Sequence, residues 1–220
     1  MPTTFVSVQL LPRHWKAAEE RAEKMPVLKK SQRGKEANIV GCLGEIVFME
    51  YLHSEGVEFT EDFATSHDIT IVGSGTLDIK TKDRTVPPKP EFEASISLYN
   101  HEHQDVDYWA FISLERGRPL CGHDGCTLFA WGHPFGGPDT PSCDHDLVEP
   151  KYVKSFHHAH IVGISNRAIL AHFGTQWNTG DTDPSNGMTF KMDSLNLPFS
   201  VLKPVREAAQ IWLERQESPF

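Results

Sequence analysis

Residues 68–82 read Asp68-Ile69-Thr70-Ile71-Val72-Gly73-Ser74-Gly75-Thr76-Leu77-Asp78-Ile79-Lys80-Thr81-Lys82. The two halves of this stretch are rich in β-branched residues, which is typical of strands, and the Gly-Ser-Gly between them favours a tight reversal. The stretch therefore predicts a β-hairpin. Successive strand residues point to opposite faces, so Asp78 and Lys80 share a face. Folding the hairpin can also bring Asp68 close to Asp78.

Two carboxylates grouped with a lysine suit the hydrolysis of a phosphate ester. Mg²⁺ prefers hard oxygen ligands and is commonly held by one or two carboxylates, with water and substrate phosphate completing its coordination. The cation lowers the pKa of a bound water and neutralises charge on the phosphate. A lysine can orient the water or hold the phosphate. We therefore predict Asp68 and Asp78 as ligands of Mg²⁺ or Mn²⁺, with Lys80 acting on water and phosphate. On an isolated strand, Asp78 and Lys80 would be an ordinary exposed ion pair.

A third carboxylate, Glu45, lies in the segment 36–52, which predicts a mostly buried helix because apolar residues occur on nearly every side. Gly34, Asn38, Gly41 and Glu45 follow 3–4 spacing and form one stripe of small or polar residues. Such a stripe allows close approach of another element or of a nucleic-acid backbone. The alternative is an ordinary surface glutamate beside glycines that only make packing contacts. A buried carboxylate is costly unless it is paired or binds a cation, which favours the metal role.

In this order the residues resemble the PD-(D/E)xK nuclease superfamily, which has the restriction-endonuclease-like fold. In that family a helix carries a glutamate, and a hairpin carries an aspartate and then an acidic-x-lysine triplet. The corresponding residues here are Glu45, Asp68 and Asp78-Ile79-Lys80. His67 stands where the family has proline, and the triplet begins with aspartate instead of the commoner glutamate. Neither change removes an oxygen ligand.

The resemblance covers roughly residues 34–115 and implies a fold, an activity and partners. It implies an α/β protein with a mixed central β-sheet flanked by helices, in the core order αβββαβ. It also implies an Mg²⁺-dependent deoxyribonuclease with Glu45, Asp68, Asp78 and Lys80 as catalytic residues. DNA is then the expected substrate, and a homodimer is a further expectation because many members of the family cut both strands as dimers. The alternative is a non-catalytic nucleic-acid- or protein-binding module on the same scaffold.

An irregular insertion, at about residues 116–158, is rich in glycine and proline and carries cysteine and histidine residues. Structural zinc is bound by four such side chains in a tetrahedral arrangement. Free thiols and loop histidines are the alternative, and His123 and His133 are rival ligands. The predicted zinc ligands are Cys121, Cys126, Cys143 and His145.

Composition restricts the partners and the compartment. The chain carries a formal charge of −9, which disfavours a protein that coats nucleic acid through bulk charge but permits local attraction. No apolar run is long enough to span a membrane and no signal peptide is evident, so no membrane partner is expected. Four cysteines in 220 residues predict a reducing, cytoplasmic location rather than a disulfide framework.

Basic residues are concentrated near the N-terminus and beside the predicted site. Residues 1–33 predict a basic helical arm that precedes a nuclease-like domain over residues 34–220. The arm can contact phosphates, but a solvated amphipathic helix is an equal alternative. Its apolar stripe would be Trp15, Ala18, Ala22 and Met25. A second basic group, better placed for substrate, consists of Lys80, Lys82 and Arg84.

The rest of the chain completes the predicted αβββαβ order. Prolines make residues 85–90 a loop. We predict helices over residues 91–104, 166–173 and 203–216, and strands over residues 107–114 and 160–164. The histidines at the start of the last strand, His157, His158 and His160, are interpreted as a solvated strand entry, with metal ligation as the alternative.

Overall fold

The computed structural model describes residues 5–26, 35–62, 67–98, 106–116, 156–184 and 187–218. The helices in these ranges are α1 (Pro12–Glu23), α2 (Lys35–Glu55), α3 (Arg167–Phe173) and α4 (Val205–Glu217). The strands are β1 (Val6–Gln9), β2 (Phe59–Glu61), β3 (Ile69–Ile71), β4 (Gly75–Arg84), β5 (Glu93–Ser97), β6 (Tyr108–Arg116), β7 (Phe156–Asn166), β8 (Thr175–Trp177) and β9 (Ser194–Pro198).

The central sheet has six strands in the order β1-β7-β6-β4-β3-β2. It is mixed: β4 and β6 are parallel, and the other neighbouring pairs are antiparallel. The predicted fold class, an α/β protein with a mixed central sheet and flanking helices, is confirmed. Among the described residues no helix is long and apolar enough to cross a membrane.

The predicted β-hairpin is confirmed as β3 and β4, joined by a turn that contains Gly73. This glycine has φ 69°, a left-handed conformation that costs glycine little, and the Ser74 N–H donates to the Ile71 carbonyl at 3.0 Å. The strand predicted at 107–114 is confirmed as β6, and the one at 160–164 is the centre of the longer β7. The helix predicted at 166–173 begins after Asn166, whose side chain accepts from the Ile169 N–H at 2.9 Å.

The helix predicted over residues 91–104 is wrong in the part that the structure describes, because Glu93–Ser97 forms strand β5. It pairs antiparallel with β9 in a second sheet of order β5-β9-β8. The spacing of Phe92 and Ile96 fits a helix, but Ala94 and Ile96 also alternate as buried strand residues. The partner strand β9 lies about a hundred residues later, so the local pattern could not decide between the two. The connection from β4 to the parallel β6 thus carries a strand where the αβββαβ order requires a helix.

The N-terminal residues join the same core as the rest of the chain. Strand β1 pairs with β7 at one edge of the central sheet. In α1 the small residues Ala18 and Ala22 are buried, and Trp15 stacks on Phe156 with ring centroids 5.8 Å apart. The predicted amphipathic stripe is therefore present, although Met25 at its end is 41% exposed. The predicted boundary between residues 33 and 34 lies outside the described residues.

Two hydrophobic clusters cover opposite faces of the central sheet. The helical face packs against α1, α2 and α4, and β4 contributes Leu77 and Ile79 to it. The opposite face, here called the β5 face, packs against β5, β9 and α3, and β6 contributes Trp109 and Phe111. Because strand residues alternate, Asp78 and Lys80 belong to the β5 face.

Helix α2 approaches the sheet most closely where Gly44 meets Thr81. A Cβ atom at Gly44 would overlap the Thr81 side chain and lie only 3.0 Å from its Cβ, whereas one at Gly41 would have only Glu45 Oε1 near it, at 4.0 Å. Two glycines one turn apart on α2 thus differ in function: Gly44 is required by packing and Gly41 is not.

We predict opposite effects of alanine at these two positions. Gly44→Ala should lower the free energy of unfolding by about 1–2 kcal/mol, because the overlap with Thr81 outweighs the gain in helix propensity. Gly41→Ala should raise it by about 0.5–1 kcal/mol, because only the propensity changes. Urea denaturation of the three proteins measures both values, and a stabilised Gly44→Ala would show that α2 does not pack on β4 this closely.

Candidate active site

The β3–β4 pairing brings Asp68 and Asp78 together. Ile69 pairs with Leu77, and continuing this register by one residue places Asp68 opposite Asp78. Directly opposite residues of an antiparallel pair share a face. The Asp68 N–H donates to the Leu77 carbonyl at 3.1 Å, and Asp68 Oδ2 accepts from the Ile79 N–H at 2.6 Å. One oxygen of the Asp68 carboxylate is thereby fixed at the start of the hairpin.

Lys80 is ion-paired with Asp78 on the same strand face. Its Nζ lies 2.6 Å from Asp78 Oδ2, and Asp78 is only 3% exposed. Among the described residues, no donor reaches this buried oxygen with the geometry of a hydrogen bond. The contact is therefore electrostatic, and the oxygen retains lone pairs that a cation could use.

Like charge is concentrated around Asp68. Burial raises the pKa of its carboxyl group to about 7, and the carboxylates of Asp78 and Glu45 add to the shift. The Ile79 N–H and the Lys80 ammonium act in the opposite direction but do not cancel it. Burial and neighbouring carboxylates thus favour the protonated form of Asp68, and a bound divalent cation would relieve this penalty on the charged form.

Glu45 is held near these aspartates by α1 and α2. Its Oε2 lies 3.1 Å from Arg21 Nε, and Nη1 of the same guanidinium lies 2.7 Å from Glu61 Oε2. Burial raises the pKa of Glu45, with Arg21 opposing the shift and Asp78 adding to it. Glu45 is therefore coupled to Asp68 and Asp78 electrostatically, while its ion pair is with Arg21.

The residues fit a divalent cation only in part. In the described part of the chain, no group of three or more His, Cys, Asp or Glu side chains stands in position to hold a metal ion. Asp68 and Asp78, however, are a close carboxylate pair with a buried oxygen that lacks a hydrogen-bond donor. Mg²⁺ commonly takes one or two carboxylates and completes its shell with water and substrate. The pair fits that mode of binding, with Glu45 available only if its side chain leaves Arg21.

Two further predictions concern the second half of the chain. The predicted zinc ligands Cys121, Cys126, Cys143 and His145 all lie outside the described residues. The solvated strand entry is wrong for His160, which is 5% exposed and whose Nε2 lies 2.8 Å from Oε2 of the buried Glu115. The sequence does not indicate this contact, because Glu115 on β6 is adjacent to His160 only when β6 pairs with β7.

The sequence predicts a basic arm over residues 1–33, which contains Arg21, but it does not predict the contact of Arg21 with Glu45. The signal that could have identified its role is its position beside Ala18 and Ala22, one turn apart on the buried side of α1. A cation on that side must meet a carboxylate from a neighbouring element if it is to remain charged.

No protein-family model, curated protein or solved structure matches this chain. The site is therefore interpreted from its own geometry and from the order of its residues.

The raised pKa of Asp68 predicts that Asp68→Asn stabilises the metal-free protein, and that the gain in the free energy of unfolding depends on pH. The folded state holds a proton on Asp68 up to about pH 7, whereas the unfolded state releases it near pH 4. Charged Asp68 therefore destabilises the fold increasingly between these values, and asparagine removes that cost while keeping an acceptor for the Ile79 N–H. With EDTA present, Asp68→Asn should raise the free energy of unfolding by roughly 1–3 kcal/mol at pH 8 and by less at pH 5.

Urea denaturation at both pH values measures this difference. Glu207→Gln, which removes an exposed carboxylate from α4, is the control and should change little at either pH. An equal effect of Asp68→Asn at pH 5 and pH 8 would contradict the charge crowding described above.

Proposed function

We propose that the protein is a metal-dependent nuclease that hydrolyses phosphodiester bonds in DNA. The observation that carries the proposal is the placement of Asp68 and Asp78 side by side, with Lys80 2.6 Å from Asp78. Neither a structural salt bridge nor a packing contact requires a second, half-buried carboxylate beside an ion pair. The order of these residues along the chain, with Glu45 before them, also supports membership of the PD-(D/E)xK superfamily.

Each residue has a distinct part in this reaction. Asp68 and Asp78 would hold Mg²⁺ or Mn²⁺, and the bound cation would supply an activated water and neutralise charge on the phosphate. Asp68 is held in place by the Ile79 N–H. Lys80 would exchange part of its contact with Asp78 for the attacking water or a phosphate oxygen. Glu45 would assist through a metal-bound water, with Arg21 setting its charge.

A non-catalytic binding module is the second candidate, favoured by the Arg21–Glu45 ion pair, which occupies the third carboxylate. Such a module would bind nucleic acid or protein on the same scaffold and would not need divalent cations. Zinc in residues 116–158, which the cysteines and histidines of that segment suggest, and a homodimer, which the resemblance implies, are further proposals compatible with either function.

Point variants of the site separate the two candidates. Asp78→Asn should abolish most cleavage of plasmid DNA in Mg²⁺ or Mn²⁺, because it removes the charge of the central ligand. Lys80→Ala should slow cleavage roughly a hundredfold or more but leave DNA binding in Ca²⁺ largely intact. Glu45→Gln should have a smaller effect than either. Lys191→Ala, which removes an exposed lysine outside the basic arm, is the control for loss of positive charge.

Cleavage is followed on agarose gels, and EDTA should stop it. Equal cleavage by the unmodified protein and Lys80→Ala would show that Lys80 only pairs with Asp78 and takes no part in cleavage. DNA binding without any cleavage in Mg²⁺ or Mn²⁺ would favour the binding module.

A further inference from the structure

A cavity of about 210 Å³ lies on the β5 face of the central sheet, and Lys80 lines it together with residues of β4, β5 and β6. Lys80 also belongs to the candidate active site, so the cavity and the site are adjoining spaces on one strand. The roles proposed for Asp68, Asp78 and Glu45 do not involve the cavity. Its wall combines cations, hydroxyl groups and the apolar residues Phe111, Val162 and Phe199.

Three cations of β4 line the cavity at every second residue: Lys80, Lys82 and Arg84. Lys80 is paired with Asp78, and Glu93 is the carboxylate of the lining. Burial lowers the pKa of Lys82 and the charge of Arg84 lowers it further, whereas Glu93 and Asp83 oppose the shift without cancelling it. With Lys80 paired to Asp78, Lys82 and Arg84 face one carboxylate of the lining, so the cavity carries an excess of positive charge that a bound anion would relieve.

Arg84 is fixed in position before any ligand binds. Its Nη2 donates to the backbone carbonyl of Glu93 at 2.7 Å. Its guanidinium carbon lies 4.6 Å from the ring centroid of Phe92 and 5.1 Å from that of Phe199. Its buried Nε–H has no acceptor among the described residues. A guanidinium held this way loses little freedom on binding, and its spare donor suits an oxyanion.

Two hydroxyl groups of the lining also lack partners. Ser113 is 1% exposed, and its Oγ, like that of Ser97, is buried without a hydrogen bond within the described part of the chain. Ser113 shares the β5 face of β6 with Phe111, a wall residue of the cavity. Buried polar groups are normally satisfied, so unpaired donors from β4, β5 and β6 around one space indicate a ligand rich in acceptor oxygens.

We infer that this cavity binds the terminal phosphate of a nucleic-acid strand whose scissile bond lies at the Asp78–Lys80 site. This inference rests on the proposed nuclease function and extends it. A terminal phosphate carries close to two negative charges and three acceptor oxygens, which match the cations and the spare donors. An internal phosphodiester carries only one negative charge and two free oxygens, so it would satisfy fewer of these groups.

The geometry of β4 sets the distance between the two sites. Lys80 and Arg84 are four residues apart, or about 13 Å along the strand. A short stretch of single strand spans that distance. The protein should therefore prefer phosphorylated single-stranded ends and cut them at a fixed short distance from the terminus.

Binding without catalysis tests the inference. Fluorescence anisotropy in EDTA compares single-stranded oligonucleotides of one sequence that carry a 5′-phosphate, a 3′-phosphate or only hydroxyl ends. One of the two phosphorylated forms should bind at least about tenfold more tightly than the hydroxyl form. Lys82→Gln and Arg84→Gln should each remove most of this difference, whereas Lys191→Gln, a charge-matched control at an exposed lysine outside the arm and the cavity, should retain it.

Ser113→Ala separates a binding role from a structural one. Because it removes a buried hydroxyl without a partner, it should raise the melting temperature of the unliganded protein. It should nevertheless reduce the preference for the phosphorylated end several-fold. A lower melting temperature with an unchanged preference would overturn the role of Ser113 in the cavity.

The outcomes distinguish this inference from the proposed function. Equal binding of all three oligonucleotides overturns the terminal-phosphate site even if the protein cleaves DNA. Displacement by inorganic phosphate or a mononucleotide as readily as by the phosphorylated oligonucleotide also overturns it, because the strand would then contribute nothing. A preference for one phosphorylated end that depends on Lys82 and Arg84 supports it, even if no cleavage is found.

Discussion

The register of β3 against β4 is the constraint on which the rest of the site depends. It places Asp68 beside Asp78 and leaves Leu77 and Ile79 to fill the core under α2. A slip of one residue would turn every side chain of β4 to the other face, burying Lys80 under the helix. The apolar residues of the hairpin therefore fix the carboxylates as firmly as they fix the core, and the cost of crowding two negative charges is offset by that packing.

Charge changes sign along one face of β4, and this change links the site to the cavity. The first part of the face carries Asp78 beside Asp68, where a cation would be held, and the later part carries Lys82 and Arg84. Hydrolysis of a nucleic-acid strand would use both parts of this face. A metal ion and a lysine would act at the bond to be broken, and positive charge would hold the phosphates on one side of it. A net charge of −9 is compatible with this, because the attraction of Lys82 and Arg84 is local to the cavity that they line.

Sequence patterns predicted local structure well and non-local pairing poorly. The hairpin could be predicted because its turn glycines and its alternating apolar residues are close together in the chain. The hairpin in turn predicts that Asp68, Asp78 and Lys80 lie near one another. Strand β5 was not, because its partner β9 lies a hundred residues away and its five residues fit either period. The Arg21–Glu45 and Glu115–His160 contacts were missed for the same reason: each joins elements that meet only in the folded chain.

Calorimetric titration of Mn²⁺ at pH 7, in two buffers of different ionisation enthalpy, measures whether Asp68 and Asp78 form a cation site. Because the pKa of Asp68 is about 7, cation binding should release a substantial fraction of a proton, and the apparent heat should differ between the buffers. Asp78→Asn should abolish the binding, and Glu207→Gln should leave it unchanged. Absence of Mn²⁺ binding, or binding that survives Asp78→Asn, would show that Asp68 and Asp78 do not form a cation site.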